Sequence, residues 1–268
     1  MARKTFSTDK QIKRLRNYNI VAAFLHLFQA IAFGSFLARL DNQILFPVTA
    51  DYMAGPPGSG LTERVTVFEV NLGFGVVLFL ALSSLFHFLV ASPWFFGRYS
   101  NGLKQNHNYF RWVEYSLSSS TMIWLIAQLC GLSDIGALIA IFGVNASMIL
   151  FGALQEKYET PGNGKFLPFI MGCLTGVVPW ILIFIYTFQP GGSHKVAVPA
   201  FVVGIIISLF ILFNTFAVNQ VLQYRQVGKW ASYLQGERSY ITLSLVAKSL
   251  LAWQVFSGAI VPVLTGTN

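Results

Sequence analysis

Long apolar stretches alternate with short polar segments along the whole chain. In a bilayer, roughly 20 apolar residues in a helix are enough to cross the hydrocarbon core, and seven stretches reach that length. A segment within lipid must satisfy its own backbone hydrogen bonds, so these stretches are predicted to be helices. The predicted spans, numbered 1 to 7, cover about residues 19–38, 69–92, 107–131, 135–155, 166–188, 198–224 and 237–262.

The composition is that of an integral membrane protein. Of the 268 residues, 54% are hydrophobic and only 10% are charged, whereas a soluble domain carries roughly 25% charged residues. Most connections between the spans are short, which places consecutive helices side by side as antiparallel neighbours. No linker divides the chain. We therefore expect a single all-α domain over residues 1–268, built as a bundle of seven membrane-spanning helices.

The basic residues predict how the bundle lies in the membrane. The formal net charge is +8, and six of the 18 Lys and Arg residues crowd the amino terminus. If that terminus is cytoplasmic, fourteen basic residues lie inside, three lie outside and Lys248 lies within a span. The positive-inside rule therefore predicts a multi-pass protein of the cell membrane with a cytoplasmic amino terminus and an extracellular carboxyl terminus. The inside set is Arg3, Lys4, Lys10, Lys13, Arg14, Arg16, Arg98, Lys104, Arg111, Lys157, Lys165, Arg225, Lys229 and Arg238, and the outside set is Arg39, Arg64 and Lys195.

A basic amino-terminal stripe also occurs in nucleic-acid-binding proteins, but beside an apolar span it is more typical of a cytoplasmic flank. No nucleic-acid partner is expected. Both this stripe and the basic 225–238 loop are suited to a protein partner or to anionic lipid, and the sequence leaves the two open. Cys130 and Cys173 stand in apolar context and are interpreted as packing residues, with no metal site.

The one long connection, about residues 39–68, is predicted to lie outside the membrane. Ile44–Met53 and Thr62–Val70 are rich in β-forming residues, and Ala54–Gly60 between them reads AGPPGSG, a strong turn signal. This pattern predicts a small extracellular β-hairpin between the first two helices. Because an isolated hairpin is marginally stable, it is expected to lean on a helix end or on a second protomer.

Lys248 lies in the seventh span, within YITLSLVAKSLLAWQVF. At about 1.5 Å per residue, its position is close to the centre of the bilayer, too deep for the side chain to reach water easily. An ionisable residue at this depth is costly and points to function. One hypothesis is a structural ion pair with a carboxylate. The other is a nucleophilic amine that forms a Schiff base with a carbonyl cofactor.

Glu114 in span 3 is the expected partner of Lys248. Arg111 precedes it by three residues and Ser118 follows it by four, on the same helix face. A protonated Schiff base needs a counter-ion, because an unpaired buried cation costs far more than a paired one. Glu114 is predicted to supply that charge. Arg111 either helps to keep Glu114 ionised or serves only as an anchor at the cytoplasmic interface.

Other polar side chains gather on the cytoplasmic side of Lys248. They are His26 in span 1, Ser83 and His87 in span 2, and Ser244 one turn before the lysine. A single His in a membrane helix often serves only as hydrogen-bonded glue. Two of them at the depth of the only Glu expected to be deeply buried predict a proton-accepting polar cavity.

The outer half of the bundle and the middle of the membrane carry different signals. Toward the outside, the spans offer isolated Gln128 and Gln254 but no second carboxylate, so a proton relay is present on one side only.

Near mid-membrane, several residues are expected to line an elongated apolar slot, although each one taken singly is more typical of ordinary packing. They are Met122, Asn145, Met148, Pro179, Trp180, Phe210 and Phe213.

The segments RWVEYSLSSS, IFGVNASMILFG, SLVAKS and AWQVFSG, together with the inside amino terminus, resemble the heliorhodopsins over essentially the whole chain. The resemblance implies all-trans retinal bound covalently at Lys248 with Glu114 as counter-ion. It also implies a polar cavity at Ser83, His26 and His87, with Ser244 standing where most type 1 rhodopsins carry a second Asp. Asn145, Met148 and Trp180 would fall within the chromophore pocket. Family members are homodimers of inverted orientation with slow photocycles, usually without net ion transport.

The sequence therefore leads to a light-sensing retinal protein that is not an enzyme. Its Schiff-base proton is expected to move into the Glu114 and His cavity, and helix rearrangement is expected to signal to a cytoplasmic protein partner. A light-driven proton pump or light-gated proton channel is the alternative in the transport class. The missing outer carboxylate argues against a pump and less strongly against a passive channel. A retinal-free regulatory, lipid-handling or structural role is the third possibility.

Overall fold

The computed structural model describes residues 2–39, 43–189, 192 and 198–265, with side chains from residue 8 onward apart from residue 264. Lys195, one of the three basic residues expected outside, falls beyond the described residues, as do residues 40–42 of the long connection. The helices are α1 (Ala2–Leu37), α2 (Leu72–Ala91), α3 (Pro93–Lys104), α4 (Tyr109–Leu129), α5 (Ile135–Tyr158), α6 (Leu167–Phe188), α7 (Ala200–Tyr224), α8 (Tyr233–Val255) and α9 (Val261–Thr265). A 3-10 turn at Gly228–Ala231 precedes α8, and a π-helical turn at Phe256–Ile260 joins α8 to α9.

The seven-helix bundle predicted from the apolar stretches is confirmed, with α1, α2 and α4 to α8 as its long helices. Consecutive helices run in opposite directions, so the bundle has an amino-terminal side, where α1 begins, and a hairpin side, where α1 ends. Within the described residues, six helices are long and apolar enough to cross a membrane, and α4 is the long helix that is not among them.

Helix α4 is polar because it lies inside the bundle. More than half of its 21 residues are buried, including Arg111, Glu114, Ser118 and Ser120. It packs against α2 on one side and α5 on the other. By contrast, helices at the rim expose large apolar side chains, such as Phe28 on α1, which suit a lipid surface.

Two features at the amino-terminal side differ from the prediction. Helix α1 begins at Ala2, well before the predicted span, and α3 was not predicted. Helix α3 has 12 residues, too short to cross a bilayer, and begins with Pro93 after the Ser92 cap. Its Tyr99 and Leu103 are buried against Ile12 and Leu15 of α1, so this extension of α1 and α3 together cover the end of the bundle.

The predicted hairpin is also confirmed. Strands β1 (Leu45–Met53) and β2 (Thr62–Asn71) pair antiparallel, with a bulge after Val48. The hairpin rests on the loop between α4 and α5, where the Thr49 amide donates to the Ser133 carbonyl at 2.8 Å. Val48 is fully buried there. Contact with the end of the bundle, one of the two expected supports, is therefore present.

Candidate functional site

Lys248 of α8 forms a buried ion pair with Glu114 of α4. Its Nζ donates to Glu114 Oε1 at 2.6 Å and to Ser244 Oγ at 2.9 Å. Ser244 reaches the amine because it lies one helical turn before it. From α2, Ser83 Oγ donates to the same carboxylate oxygen at 2.7 Å. Lys248 is 3% exposed and Glu114 is 4% exposed, so each charge is compensated by the other rather than by solvent.

Tyr115, which the sequence reasoning missed, completes the surroundings of the amine. The centroid of its ring lies 5.1 Å from Lys248 Nζ, and its hydroxyl donates to the Tyr240 carbonyl at 2.8 Å. A cation at this distance from an aromatic face is attracted by the ring. Its position next to Glu114 in the sequence was the signal that could have found it.

The two histidines of the predicted polar cavity, His26 and His87, lie together, and of the two His87 lines the small cavity described below. Their rings stack at 5.8 Å between centroids. His87 Nδ1 lies 2.6 Å from the Asn19 side-chain oxygen and donates to it, which leaves Nε2 as the basic nitrogen of the neutral ring. Asn19 in turn donates to Tyr99 at 3.1 Å. His26 is fully buried, and neither of its ring nitrogens has a partner among the described residues. Asn19 and Tyr99 were not predicted, because neutral residues of common type carry no signal alone.

Arg111, which shares a helix face with Glu114, pairs with two other carboxylates. Its guanidinium lies between Glu156 of α5 and Glu237 of α8 and forms a salt bridge with each carboxylate. Side chains on a helix lean toward its amino terminus, and α4 begins at the amino-terminal side, so Arg111 points away from the Lys248 pair. Glu156 and Glu237 are themselves buried, so Glu114 is not the only deeply buried Glu.

A small cavity of about 30 Å³ separates the two charge clusters. Glu114, His87, Arg111 and Glu237 all line it, together with Asn19, Phe86, Val90, Tyr99, Asn108, Phe110, Tyr115 and Ile241. A cavity needs at least about 10–15 Å³ to hold a water molecule, so this one has room for water. Arg111 therefore borders the polar cavity from its far side, without contacting the ion pair.

A second, larger cavity of about 410 Å³ begins at Lys248 and is lined mostly by apolar side chains. Its aromatic wall includes Trp180, whose ring centroid lies 5.1 Å from that of Phe210 and 5.8 Å from that of Phe213. Of the residues expected to line a slot, Met122, Met148, Trp180, Phe210 and Phe213 line this cavity, as do Ser118 and Ser244. Ser118 Oγ is buried there without a partner among the described residues.

Asn145 and Pro179, expected in the same slot, do not line the cavity. Asn145 is buried behind it and donates to Ser119 and Ser120 at 2.9 and 3.0 Å. It therefore acts on the cavity only through the α4 serines that it fixes. Side-chain depth alone could not distinguish these two positions from those that face the cavity.

The hairpin side of the site carries aromatic and neutral side chains. Phe33, Trp253 and Phe256 form an aromatic cluster there, with centroid distances of 5.2 to 5.7 Å. Beside Lys248, a partly buried hydrogen bond joins two neutral groups, from Gln29 to Ser249 at 2.9 Å. Among the described residues, the buried charged side chains are Arg111, Glu114, Glu156, Glu237 and Lys248. Apart from the ion pair itself, the buried charges therefore lie toward the amino-terminal side.

The cavity and its lysine fit retinal as a covalently held group. Ligand pockets commonly measure roughly 300 to 1,000 Å³ and combine apolar walls with a few placed polar groups. Here the walls are mostly apolar and aromatic, and the Lys248 amine, which is paired with the Glu114 carboxylate behind it, lines the cavity. The described residues contain no group of three or more His, Cys, Asp or Glu side chains that could hold a metal ion.

Solved structures with the same architecture belong to microbial rhodopsins. A light-driven proton pump from Leptosphaeria maculans is 13% identical, with a TM-score of 0.61 over 94% of this chain and 95% of that chain. Xanthorhodopsin, described as a light-driven ion pump with dual chromophore, is 11% identical, with a TM-score of 0.56 over 96% of both chains. The transmembrane domain of the Salpingoeca rosetta rhodopsin phosphodiesterase is 9% identical, with a TM-score of 0.62 over 94% and 87%. At such identities these likenesses establish the fold alone.

The search of curated proteins gave no match. The heliorhodopsin family model, in contrast, matches residues 15–260, which include every residue of the two charge clusters and of the large cavity. The chain therefore belongs to the heliorhodopsin family, a family of retinal proteins of the photoreceptor type.

Proposed function

We propose that this protein is a light sensor that carries all-trans retinal covalently on Lys248, with Glu114 as its counter-ion. The observation that carries the proposal is the buried Lys248–Glu114 pair, of which Lys248 lines a large apolar cavity. When bound, retinal supplies the absorption of light and the light-driven change of shape. The structural ion pair that the sequence left open as a rival accounts for the pair but not for the cavity at the amine.

The protein's own groups hold and direct the proton on Lys248 Nζ. Glu114 and Ser244 accept hydrogen bonds from that nitrogen, and Ser83 fixes the carboxylate from α2. A proton leaving Nζ has Glu114 Oε1 at 2.6 Å as its first acceptor. Beyond it, His87 and the small cavity lie toward the amino-terminal side. On the hairpin side the aromatic cluster offers no acceptor, so proton movement without net transport is the expected outcome.

Topology and partners extend the proposal. The positive-inside rule supports a cytoplasmic amino-terminal side, which places the polar cavity in the cytoplasmic half and the hairpin outside. Family membership supports a homodimer in the lipid bilayer. A cytoplasmic protein partner would then read the movement of helix ends at the covered amino-terminal side, and no enzymatic activity is assigned to the chain.

Colour formation tests the chromophore site. All-trans retinal added to the full-length protein should produce a visible absorption band that survives in Lys165→Ala, because Lys165 is exposed and remote from the cavity. Lys248→Ala should remain colourless. After borohydride reduction, mass spectrometry should find the retinyl group on the peptide containing Lys248. A coloured Lys248→Ala protein with the wild-type band would refute the assignment.

Transport measurements separate a sensor from the alternative, a proton pump or light-gated proton channel. Two of the similar folds belong to light-driven pumps, so the distinction rests on the hairpin side, where the described buried residues include no second carboxylate. Unbuffered suspensions of cells that make the coloured protein should show no sustained change of external pH under continuous light. A sustained pH change that an uncoupler abolishes, or a steady photocurrent, would rule out the sensor without transport.

A further inference from the structure

Arg111, Glu156 and Glu237 form a buried cluster to which the proposed function assigns no role. They come from α4, α5 and α8, and all three side chains are nine-tenths or more buried. The guanidinium carries one positive charge against two carboxylates. With every group ionised the cluster holds one uncompensated negative charge, which is costly away from water. The cluster therefore has the capacity to take one proton.

The two carboxylates are not equivalent in their hydrogen bonds. Besides Arg111, Glu156 accepts hydrogen bonds from the Trp112 indole at 2.7 Å, the backbone N–H of Asn108 at 3.1 Å and the Tyr233 hydroxyl at 3.2 Å. Trp112 comes this close because Gly152 leaves room, since a Cβ at Gly152 would lie 2.5 Å from the indole.

Glu237 has fewer donors. Apart from Arg111, it accepts from the Asn108 side chain at 2.8 Å. Because hydrogen bonds to a carboxylate stabilise its ionised form, Glu156 retains its charge more strongly than Glu237 does. A proton that reaches the cluster is therefore held on Glu237.

The small cavity links Glu237 to the site of the ion pair. Glu114 and Glu237 both line it, whereas Glu156 does not. On α8, Glu237 precedes Ser244 by seven residues and Lys248 by eleven, which keeps the three on one face of the helix. Eleven residues correspond to about 16 Å along the axis, so the proton must pass in several steps. Glu114, the His87–Asn19 pair and a cavity with room for water lie along the way.

We propose that Glu237 is the carboxyl group that receives the proton after it has left the Lys248–Glu114 pair. The inference rests on the proposed function, because light must first release that proton. As the N–H bond at Lys248 Nζ breaks, an O–H bond forms on Glu237, and no electrons change hands. The total charge of the buried groups is unchanged. Glu114 is left ionised beside a neutral nitrogen, so it attracts the proton back and resets the protein.

Light-induced infrared difference spectroscopy tests this assignment on the full-length protein with all-trans retinal in liposomes. The carbonyl stretching band of a protonated carboxyl group should appear in step with loss of the visible band. In Glu237→Gln that band should be lost, and in Glu237→Asp it should be shifted. Glu63→Gln, on the exposed hairpin, should leave it unchanged. A merely structural role as a link between helix ends would leave the band in place.

Two results would overturn the proposal. A band of wild-type amplitude in Glu237→Gln would mean that Glu114 or another group keeps the proton. If Glu237→Gln fails to fold or to bind retinal, an unshifted band in Glu237→Asp has the same meaning. A wild-type protein that stays colourless contradicts the proposed function instead, so the two failures are distinguishable.

Discussion

At the scale of single residues, Glu114 shows how a buried charge is held in place. Its Oε1 receives hydrogen bonds from Lys248 of α8 and Ser83 of α2, while its backbone belongs to α4. Three helices thus fix one oxygen atom. Because both side chains are buried and the pair is short, the negative charge acts on Lys248 Nζ with little screening.

The variant Glu114→Gln should therefore move the visible band of the retinal-loaded protein to longer wavelength at neutral pH. Loss of the negative charge destabilises the ground state, in which the positive charge lies nearest Nζ, more than the excited state. Unit charges about 4 Å apart attract by about 4 kcal/mol at an effective dielectric constant near 20, which sets the scale of the change. Absorption spectroscopy is the measurement, with Glu63→Gln as the matched control. An unshifted band would show that another group balances the charge.

Residue type and spacing were enough to find the central pair but not what surrounds it. Lys248 and Glu114 stand out because ionisable residues are rare at membrane depth, and Ser244 follows from the helical repeat. The partners of Arg111 could not be predicted, because sharing a helix face with Glu114 does not fix the direction of a long side chain. Its partners Glu156 and Glu237 lie on two other helices, so their meeting depends on packing that one-dimensional spacing does not contain.

At the scale of elements, the hairpin was predictable because its signal is local. Two segments rich in β-forming residues and the AGPPGSG turn between them identify both strands. Helix α3 was missed because a 12-residue polar segment lacks the length that identifies a span. The polarity of α4 likewise makes sense only once its neighbours α2 and α5 cover it.

The exposed end of the hairpin supports a prediction about pH. Opposite each other in the register, Asp51 and Arg64 form two parallel hydrogen bonds of 2.8 and 2.9 Å. The hydrogen bond from Arg64 holds the pKa of Asp51 below its ordinary value. The stabilisation from this pair is therefore present above the ordinary pKa of an Asp and is lost as pH falls through the lowered value.

Arg64→Gln should raise the pKa of Asp51 toward its ordinary value. Carboxyl-carbon NMR titration of Asp-labelled protein in nanodiscs measures this directly, with Asp51→Asn to assign the signal. Glu63→Gln, which removes a neighbouring charge but not the partner, serves as the control. An Asp51 signal that titrates identically with and without Arg64 would contradict the pairing.

At the scale of the whole molecule, the buried charges divide the bundle into unequal halves. The amino-terminal half holds the Arg111 cluster, the histidines and the small cavity. The hairpin half is closed by Phe33, Trp253 and Phe256. The count of basic residues predicts that the polar half faces the cytoplasm, although hydropathy alone could not have shown how completely the charges gather on one side.

That division has an electrical consequence. A proton that moves about 16 Å along α8 crosses about half of a hydrocarbon core that is roughly 30 Å thick. At 100 mV, moving a full charge across the membrane involves about 2.3 kcal/mol, so half the distance involves about 1 kcal/mol. If the polar half of the bundle faces the cytoplasm, as the basic residues predict, a negative potential inside the cell stabilises the displaced proton.

In planar bilayers, a flash should therefore produce a brief displacement current that reverses fully in the dark. The displaced state should last up to about fivefold longer at −100 mV than at 0 mV, since about 1 kcal/mol corresponds to that factor. A lifetime independent of voltage would contradict proton movement along the membrane normal. The lifetime of the light-induced state, and so the strength of the signal, would then depend on the membrane potential as well as on light.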